Sequence, residues 1–281
     1  MNREKLEWLA PVDVGETAGL SVPGDRFRVD GVEFQCLLGP ARSTPEKFFI
    51  RKSRAMAEEY LGVLERFQDA RIVELGIAEG GSFALASIFN DPAKLVGVEI
   101  AADRVSALDQ LIASRGLADR ARPYYGVDQA DRAGLREIVA AEFDEEPLDL
   151  VIDDASHRLA ETRSSFETLF PLLRSGGLFL IEDWNHQHLL SLALAKALSG
   201  PDPDPELEAN FRRGLASGPP EAPLSRLAIE FVLAQAESQD YISRVSVGHH
   251  FLGVRRGPGS LDAGEFRLSD LFTDHVGLLP D

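Results

Sequence analysis

Apolar residues in the central part of the chain form short runs, and these runs alternate with segments of helical periodicity. The runs predict strands at 71–76, 94–100, 121–128, 148–154 and 177–183. Between them, apolar residues recur at helical spacing over 81–90, 103–116, 131–143 and 158–173. Strands this apolar, separated by helices, indicate a parallel sheet with helices on both faces. Right-handed connections make that arrangement a doubly wound α/β fold.

The segments that flank this core follow other patterns. After Ser53, the residues Met56, Tyr60 and Leu64 stand at helical spacing, so we expect a helix with Ser53 as its N-cap. Another helix is predicted at 224–238. The segment that follows, 241–256, predicts two short strands around Gly248-His249, and an antiparallel hairpin there would close the edge of the sheet.

The remaining parts of the chain carry weaker patterns. Residues 1 to about 50 are expected to be irregular, with a short hairpin within 21–39. The segment 199–223 is rich in Pro, Gly and acidic residues and predicts an insertion or a mobile cover. The expected organisation is an N-terminal extension or substrate-side cap at 1–52, a central domain at 53–256 and a C-terminal tail at 257–281.

Charge and composition narrow the range of partners. The net charge is −17, from 29 basic and 46 acidic residues, and it argues against a nucleic acid or an anionic membrane as partner. The single cysteine, Cys36, excludes an intrachain disulfide and cannot form a thiolate metal site alone. The N-terminus lacks the apolar core of a signal peptide, and no apolar run approaches the length of a membrane span. We therefore expect a cytoplasmic protein.

A glycine-rich turn, VELGIAEGGSF at 73–83, follows the first predicted strand and opens the next helix. Such a turn directs backbone N–H groups and the positive end of a helix towards a phosphate or a carboxylate. Gly76, Gly80 and Gly81 would allow the backbone to approach a ligand closely. The spacing does not fit G-x-G-x-x-G, because Ala78 stands where the second glycine belongs. It resembles the E/D-x-G-x-G-x-G turn of class I S-adenosylmethionine (SAM)-dependent methyltransferases, with Glu74 as the leading acid and Ala78 as a departure.

This resemblance implies a Rossmann-like, mostly parallel seven-stranded sheet with an antiparallel C-terminal hairpin strand. It also implies that SAM is the cofactor. Glu99, at the end of the second strand, would hold the ribose hydroxyls, although NAD enzymes place an acid there too. Asp128 would recognise the adenine ring, with Ser82 and Gln129 as neighbouring cofactor-binding residues. The alternative is that these are turn residues of the kind found in any α/β sheet.

Acidic residues also follow the fourth and fifth predicted strands. Asp153 and Asp154 end one strand, and Glu182 and Asp183 end the other. In class I methyltransferases these strands are neighbours, with ends about 5 Å apart. Carboxylates so close together would raise one another's pKa values unless a cation lay among them. Oxygen ligands suit Mg²⁺ or another hard divalent ion better than zinc. Alternatively, Asp153 binds the methionine amino group or caps the next helix, as in methyltransferases without a metal.

The segment 153–184 resembles the metal-dependent sugar O-methyltransferases of macrolide biosynthesis, the macrocin and mycinamicin type. The rhamnosyl O-methyltransferase/cephalosporin hydroxylase group is a relative. Their pattern is D-x-x-H followed by a distant E-D pair, matched here by Asp154, His157, Glu182 and Asp183. The resemblance implies that the three acids hold Mg²⁺ and that His157 is the general base for an acceptor hydroxyl. Asp153 would then contact the cofactor. For His157, the alternative is a capping or packing role.

Other side chains near these motifs have open roles. His186 and His188 would line an acceptor pocket or lie exposed on the next helix, and Trp184 would stack on a sugar or pack beneath the site. No chemistry is expected of the histidines at 249 and 250. In the basic segment EKFFIRKSR at 46–54, Arg51 and Arg54 would meet the SAM carboxylate or belong to a solvated helix start.

Together, these features predict a Mg²⁺- and SAM-dependent O-methyltransferase that acts on a hydroxyl of a sugar or another small natural-product acceptor. The resemblance to the macrolide enzymes implies a homo-oligomer, a dimer or a tetramer. The alternatives are a catechol-type metal-dependent O-methyltransferase, an NAD-dependent oxidoreductase and a non-catalytic SAM-binding protein. The missing second glycine and the acidic residues speak against the oxidoreductase.

Overall fold

The computed structural model describes residues 2–12, 16–17, 20–21, 24–37, 41–199, 205–216 and 222–274. The chain divides into two compact units, residues 1–155 and 156–281. The predicted extension at 1–52, insertion at 199–223 and tail at 257–281 each lie partly outside the described residues. Their limits, and those of the central domain at 53–256, stay a prediction.

The main sheet has seven strands in the order β12-β13-β11-β10-β7-β8-β9. Its strands are β7 (Arg71–Leu75), β8 (Lys94–Glu99), β9 (Ala121–Tyr125), β10 (Leu148–Asp153), β11 (Leu173–Glu182), β12 (Ile242–Val247) and β13 (Phe251–Arg256). The pairs β10–β7, β7–β8 and β8–β9 are parallel. Strand β13 pairs antiparallel with both β11 and β12. The predicted fold class, a mostly parallel sheet with an antiparallel C-terminal hairpin, is confirmed.

Helices alternate with the parallel strands as the periodicity predicts. The α-helices are α1 (Arg54–Leu64), α2 (Gly81–Phe89), α3 (Ser106–Ser114), α4 (Arg132–Phe143), α5 (Leu159–Leu169), α6 (His186–Leu198), α7 (Pro205–Ala216) and α8 (Arg226–Glu237). Short 3-10 helices lie at Asn2–Lys5, Phe170–Leu172 and Leu268–Leu271. No helix in the described ranges is long and apolar enough to span a membrane.

The N-terminal region is more regular than the sequence predicts. A four-stranded sheet has the order β1-β4-β5-β6, formed by β1 (Leu6–Val12), β4 (Gly24–Val29), β5 (Val32–Cys36) and β6 (Lys47–Ile50). A separate two-stranded pair consists of β2 (Glu16–Thr17) and β3 (Leu20–Ser21). The hairpin β4–β5 lies within the predicted segment, but the expectation that the rest is irregular is wrong. Apolar residues alternate along these strands and bury one face, with Phe34 stacked between Phe27 at 5.3 Å and Phe48 at 6.0 Å.

Unit 1 packs this small sheet onto the first helices of the main sheet. Ser53 is the N-cap of α1, as predicted, and its hydroxyl accepts a hydrogen bond from the Met56 N–H at 3.2 Å. All nine residues of α2 are buried. At its first residue, Gly81, any Cβ would overlap the carbonyl of Phe49 in β6. This close approach fixes β6 against the start of α2.

Unit 2 has an aromatic core around Phe166 of α5. Its ring lies 4.5 Å from Phe170, 5.1 Å from Phe179 and 4.6 Å from Phe231, between ring centroids. Residues 205–216 of the predicted insertion form α7, which packs against α6. Strand β11 begins at Leu173, four residues before the predicted strand. Residues 178–182 of β11 pair with β13, so the ladder supports the carboxyl end of the strand.

Candidate active site

The three glycines of the turn between β7 and α2 are needed for packing within unit 1. Gly76 has φ +81°, and a Cβ on it would overlap the backbone carbonyl of Asp154. Gly80 has φ +79° and stands directly before α2. Gly81 lies against β6, as described above. Internal packing therefore explains these glycines, and their predicted contact with a cofactor stays a prediction.

Ala78, the departure from the family turn, adopts a conformation that glycine favours. Its φ is +43°, in the left-handed region. The N–H groups of Ala78 and Ile77 donate to Oε2 of Glu99 at 2.8 and 3.1 Å. The N–H of Ala101 donates to the other oxygen, Oε1, at 3.0 Å. The Glu99 carboxylate is thus oriented at the end of β8 by three backbone donors, and its lone pairs allow further acceptance.

Glu74 is a fully buried acid in β7, with 0% of its surface exposed. Burial raises its pKa to about 7, against the opposing effects of the Ser82 hydroxyl and the Lys52 ammonium. The Ser82 hydroxyl is near the carboxyl group, but neither oxygen has a partner at hydrogen-bond geometry among the described residues. A buried acid that titrates near neutral pH is a candidate functional group.

Asp128, Gln129 and Asp153 take different positions around the ends of β9 and β10. Strand β9 ends at Tyr125, so Asp128 lies three residues beyond the strand that it was predicted to close. Gly126 turns the chain there with φ +73°. Asp128 is exposed and accepts the N–H of Ala130 at 2.8 Å. Gln129 is buried, and its Nε2 donates to both carboxylate oxygens of buried Asp153 at 3.1 Å.

Asp154 is paired with a buried lysine that the sequence analysis did not identify. Lys52 Nζ lies 3.0 Å from Asp154 Oδ2, with 1% of the lysine side chain exposed against 21% for the aspartate. Arg54, a predicted candidate from the same basic segment, stacks on Trp8, with its guanidinium carbon 4.2 Å from the ring centroid. Its contact with the SAM carboxylate stays a prediction. Lys52 belongs to the basic segment 46–54, but no sequence signal links it to a residue 102 positions away.

In unit 2, His157 and Asp183 lie close together on two turns. Each offers one possible metal-ligand atom, and these two atoms lie within 4.8 Å of each other. His157 has φ +54° and Asp183 has φ +50°. The left-handed conformation costs a non-glycine residue roughly 1–2 kcal/mol, so both turns hold their side chains at an energetic cost. Glu182, the preceding acid, is buried as the last residue of β11 opposite Phe251.

The turn after β11 is held by the β12–β13 hairpin. The Asp183 N–H donates to the His250 carbonyl at 3.1 Å. The Trp184 indole N–H donates to the Gly248 carbonyl at 3.1 Å. The Asn185 side-chain amide donates to the His249 carbonyl at 3.0 Å. The indole N–H of Trp184 therefore ties the turn to the hairpin.

The two histidines at the start of α6 have different neighbours. The ring centroid of His186 lies 5.7 Å from that of His157, with a 35° angle between the rings. Burial lowers the pKa of His186, and the His157 ring lowers it further against the opposing charge of Asp183. His188 Nε2 lies 2.7 Å from the Ser225 hydroxyl. Of the two, His186 is the one that faces a predicted catalytic residue.

Residues 73–184 match the model of a family described as a methyltransferase domain. This part of the chain is therefore similar to a methyltransferase domain. The matched segment starts in β7, includes the glycine-rich turn and ends directly after Asp183.

Two proteins that are similar to this chain are named as O-methyltransferases. One is the 8-demethyl-8-(2-methoxy-alpha-L-rhamnosyl)-tetracenomycin-C 3'-O-methyltransferase of Streptomyces olivaceus. It is 30% identical over 183 residues, which cover 63% of this chain and 41% of that protein. The mycinamicin VI 2''-O-methyltransferase of Micromonospora griseorubida is 36% identical over 125 residues, 42% of this chain and 28% of that protein. The predicted resemblance to mycinamicin-type sugar O-methyltransferases is confirmed.

This chain spans less than half of the length of those relatives. Among solved structures, it is similar to the MycE methyltransferase of mycinamycin biosynthesis, solved in complex with Mg, SAH and mycinamycin VI. The identity is 24%, with 83% of this chain and 53% of that chain covered and a TM-score of 0.48.

Proposed function

We propose that this chain transfers a methyl group from SAM to a hydroxyl of a sugar on a natural product, with the help of a divalent cation. The observation that carries the proposal is the methyltransferase-domain match over 73–184. The match spans the turns that carry the predicted cofactor-binding, metal-binding and catalytic residues. The name of the tetracenomycin relative, which includes a rhamnosyl group, supports a sugar hydroxyl as acceptor.

The carboxyl edge of the sheet in unit 1 fits a nucleoside cofactor. Strands β8 and β9 are parallel neighbours; Glu99 is the last residue of β8, and Asp128 lies three residues beyond the end of β9. Glu99 is half-buried, Asp128 is exposed, and Ile100 beside Glu99 is 70% exposed. Oriented carboxylate oxygens next to an apolar surface suit a ribose diol and a purine ring.

SAM would supply the methyl group as an electrophile at this edge. We assign its binding to residues of the glycine-rich turn and of the next three strand ends. They are Glu74, Gly76, Gly80, Gly81, Ser82, Glu99, Asp128, Gln129 and Asp153.

Asp154, Glu182 and Asp183 are the proposed ligands of a divalent cation, Mg²⁺ in the first instance. Their oxygen donors suit a hard ion. A carboxylate has about four lone-pair sites, so Asp154 can accept from Lys52 and still bind a cation. When bound, Mg²⁺ would lower the pKa of a neighbouring hydroxyl.

His157 is the proposed general base that accepts the proton of the acceptor hydroxyl at a ring nitrogen. One of its ring nitrogens and an Asp183 oxygen are within 4.8 Å of each other, so a proton gained by His157 faces a carboxylate. Because burial lowers the pKa of His186, that neighbouring ring stays neutral near pH 7. His157 can therefore gain charge without facing a second imidazolium.

A methyl-transfer assay tests the proposal. The purified chain is incubated with methyl-labelled SAM, Mg²⁺ and a panel of acceptors: a rhamnosylated aromatic polyketide, a glycosylated macrolide and a catechol. We expect label in a glycoside and no transfer after treatment with EDTA. Preferred transfer to the catechol would favour a catechol-type enzyme, and failure to bind SAM would refute the proposal.

His157→Ala tests the assigned base. We expect kcat to fall roughly 10²–10⁴-fold while the Kd for SAM stays unchanged, because the histidine is assigned to proton transfer alone. His188→Ala is the matched control, since that ring pairs with Ser225 and has no assigned role in the reaction. If His157→Ala methylates as fast as wild type, the base is wrongly assigned.

A further inference from the structure

A buried cation of the protein itself lies beside one of the proposed metal-binding carboxylates. Lys52 follows β6 and precedes the N-cap of α1. Only 1% of its side chain is exposed, which is rare for lysine. Its Nζ lies 3.0 Å from Asp154 Oδ2, although the two residues are 102 positions apart in sequence.

An aromatic ring and a second carboxyl group also lie near the Lys52 ammonium. The ring of Tyr60 lies 5.0 Å from Nζ, a distance at which an aromatic face attracts an ammonium. Glu74 also interacts with the Lys52 charge, but its raised pKa leaves it only partly ionised near pH 7. Transferring an ammonium group from water to the protein interior is costly, and the attraction to Asp154 offsets this cost for Lys52.

A divalent cation on Asp154 would have to share that carboxylate with Lys52. A metal–oxygen bond is about 2.1 Å long for Mg²⁺, so the ion would sit less than roughly 8 Å from Nζ. At an effective dielectric constant of about 20, like charges at that separation weaken binding by more than roughly a hundredfold. An opposing effect exists, because hydrogen bonds that orient a metal ligand contribute roughly 10–100-fold in affinity. The repulsion is the larger of the two.

We propose that Lys52 is a built-in counter-cation of Asp154: it neutralises this carboxylate in the metal-free protein and weakens its hold on a divalent cation. The inference rests on the proposed function, because it assumes that Asp154 binds the cation. The ion would therefore bind weakly and exchange readily. The N-terminal sheet would also contribute to the site, because Lys52 is the second residue after the end of β6.

Binding of Mn²⁺, followed by the electron paramagnetic resonance signal of the free ion, tests the inference without any methyl transfer. Lys52→Met keeps the length of the side chain and removes its charge, and we expect it to bind Mn²⁺ at least tenfold more tightly than wild type. Lys52→Arg keeps the charge and should bind as wild type does. Asp154→Asn should lose binding.

Lys94→Met is the matched control for the loss of an ion-paired lysine. Lys94 is 20% exposed and pairs with Glu142 at 2.6 Å, at the start of β8. Its loss should leave the Mn²⁺ affinity unchanged. Should Lys52→Met not fold, as judged by thermal unfolding, Lys52→Gln replaces it with the same expectation.

The outcomes separate this inference from the proposed function. If wild type binds no Mn²⁺, or if Asp154→Asn binds as wild type does, the proposed metal ligation fails and the inference fails with it. If Asp154→Asn loses binding but both neutral variants at position 52 bind Mn²⁺ no more tightly than wild type, the counter-cation is refuted. The proposed metal site then stands.

Discussion

Replacing Glu74 by glutamine should make the protein more resistant to alkaline pH. The carboxyl group is fully buried, and its pKa is raised from 4.5 to about 7. At a pH below its pKa in the unfolded chain, Glu74 is protonated in both the folded and the unfolded state. It then has no effect on how stability changes with pH. As the pH rises from the pKa of Glu74 in the unfolded chain to its pKa in the folded protein, the carboxyl group ionises first in the unfolded chain. The free energy of unfolding therefore falls. This loss of stability is complete once the pH is above the pKa of Glu74 in the folded protein.

The size of this effect follows from the same shift. At about 1.4 kcal/mol per pKa unit, the difference between the pKa of Glu74 in the unfolded and folded states corresponds to about 3 kcal/mol of stability. Glu74→Gln has no charge to bury. Its free energy of unfolding, relative to that of wild type, should therefore rise by up to about 3 kcal/mol between about pH 5 and pH 8. The amide adds a constant offset that does not depend on pH.

Urea unfolding measures this difference. In a Trp184→Phe background, the fluorescence of Trp8 reports on unit 1, the unit that contains Glu74. Unfolding curves with and without the Glu74→Gln substitution are compared in this background at several values from about pH 5 to pH 8. If the difference between the two proteins is the same at both ends of this range, burial does not shift the Glu74 titration and the reasoning is refuted.

Two further predictions concern packing and a partly buried ion pair. Gly81→Ala should lower stability by about 2 kcal/mol or more, because its Cβ would overlap the Phe49 carbonyl. Gly62→Ala, in the interior of α1 with open space around it, should raise stability by roughly 0.5–1 kcal/mol. Thermal melting compares the two, and equal effects would contradict the packing argument. Burial alone would raise the pKa of Glu142, but its interactions with Lys94 and other partners outweigh burial. The pKa is therefore lowered. Glu142→Gln should therefore destabilise the protein by roughly 2 kcal/mol at neutral pH, and urea unfolding should find a deficit that shrinks as the pH falls into the acid range. A deficit that grows there would refute the sign.

The sequence predicted the central fold because its signals are local. Buried strands and amphipathic helices leave periodic patterns within a few residues, and the cap at Ser53 can be identified from the residues around it. The N-terminal sheet was missed, since its strands are short and the parallel pairing of β5 with β6 has no local signature. Helix ends were less certain: α3 begins at Ser106 and not at 103, because Val105 is still extended.

For the candidate site, the sequence identified the types of side chain better than the residues with which each side chain pairs. It placed acids at strand ends, where the topology determines position. It could not show that Lys52 pairs with Asp154, because their separation of 102 residues leaves no pattern. Nor could it show that Gln129 occupies both oxygens of Asp153. Such contacts depend on where separate elements meet in three dimensions.

Three hydrogen bonds join the turn at residues 183–185 to the β12–β13 hairpin, and they determine how this region can be re-engineered. All three acceptors, at Gly248, His249 and His250, are main-chain carbonyls. The side chains at 249 and 250 can therefore be exchanged without removing an acceptor. The length of the hairpin cannot change so freely, because one inserted residue would move every carbonyl out of register with its donor. A library that varies residue identity there, and keeps the spacing, is the design that this geometry permits.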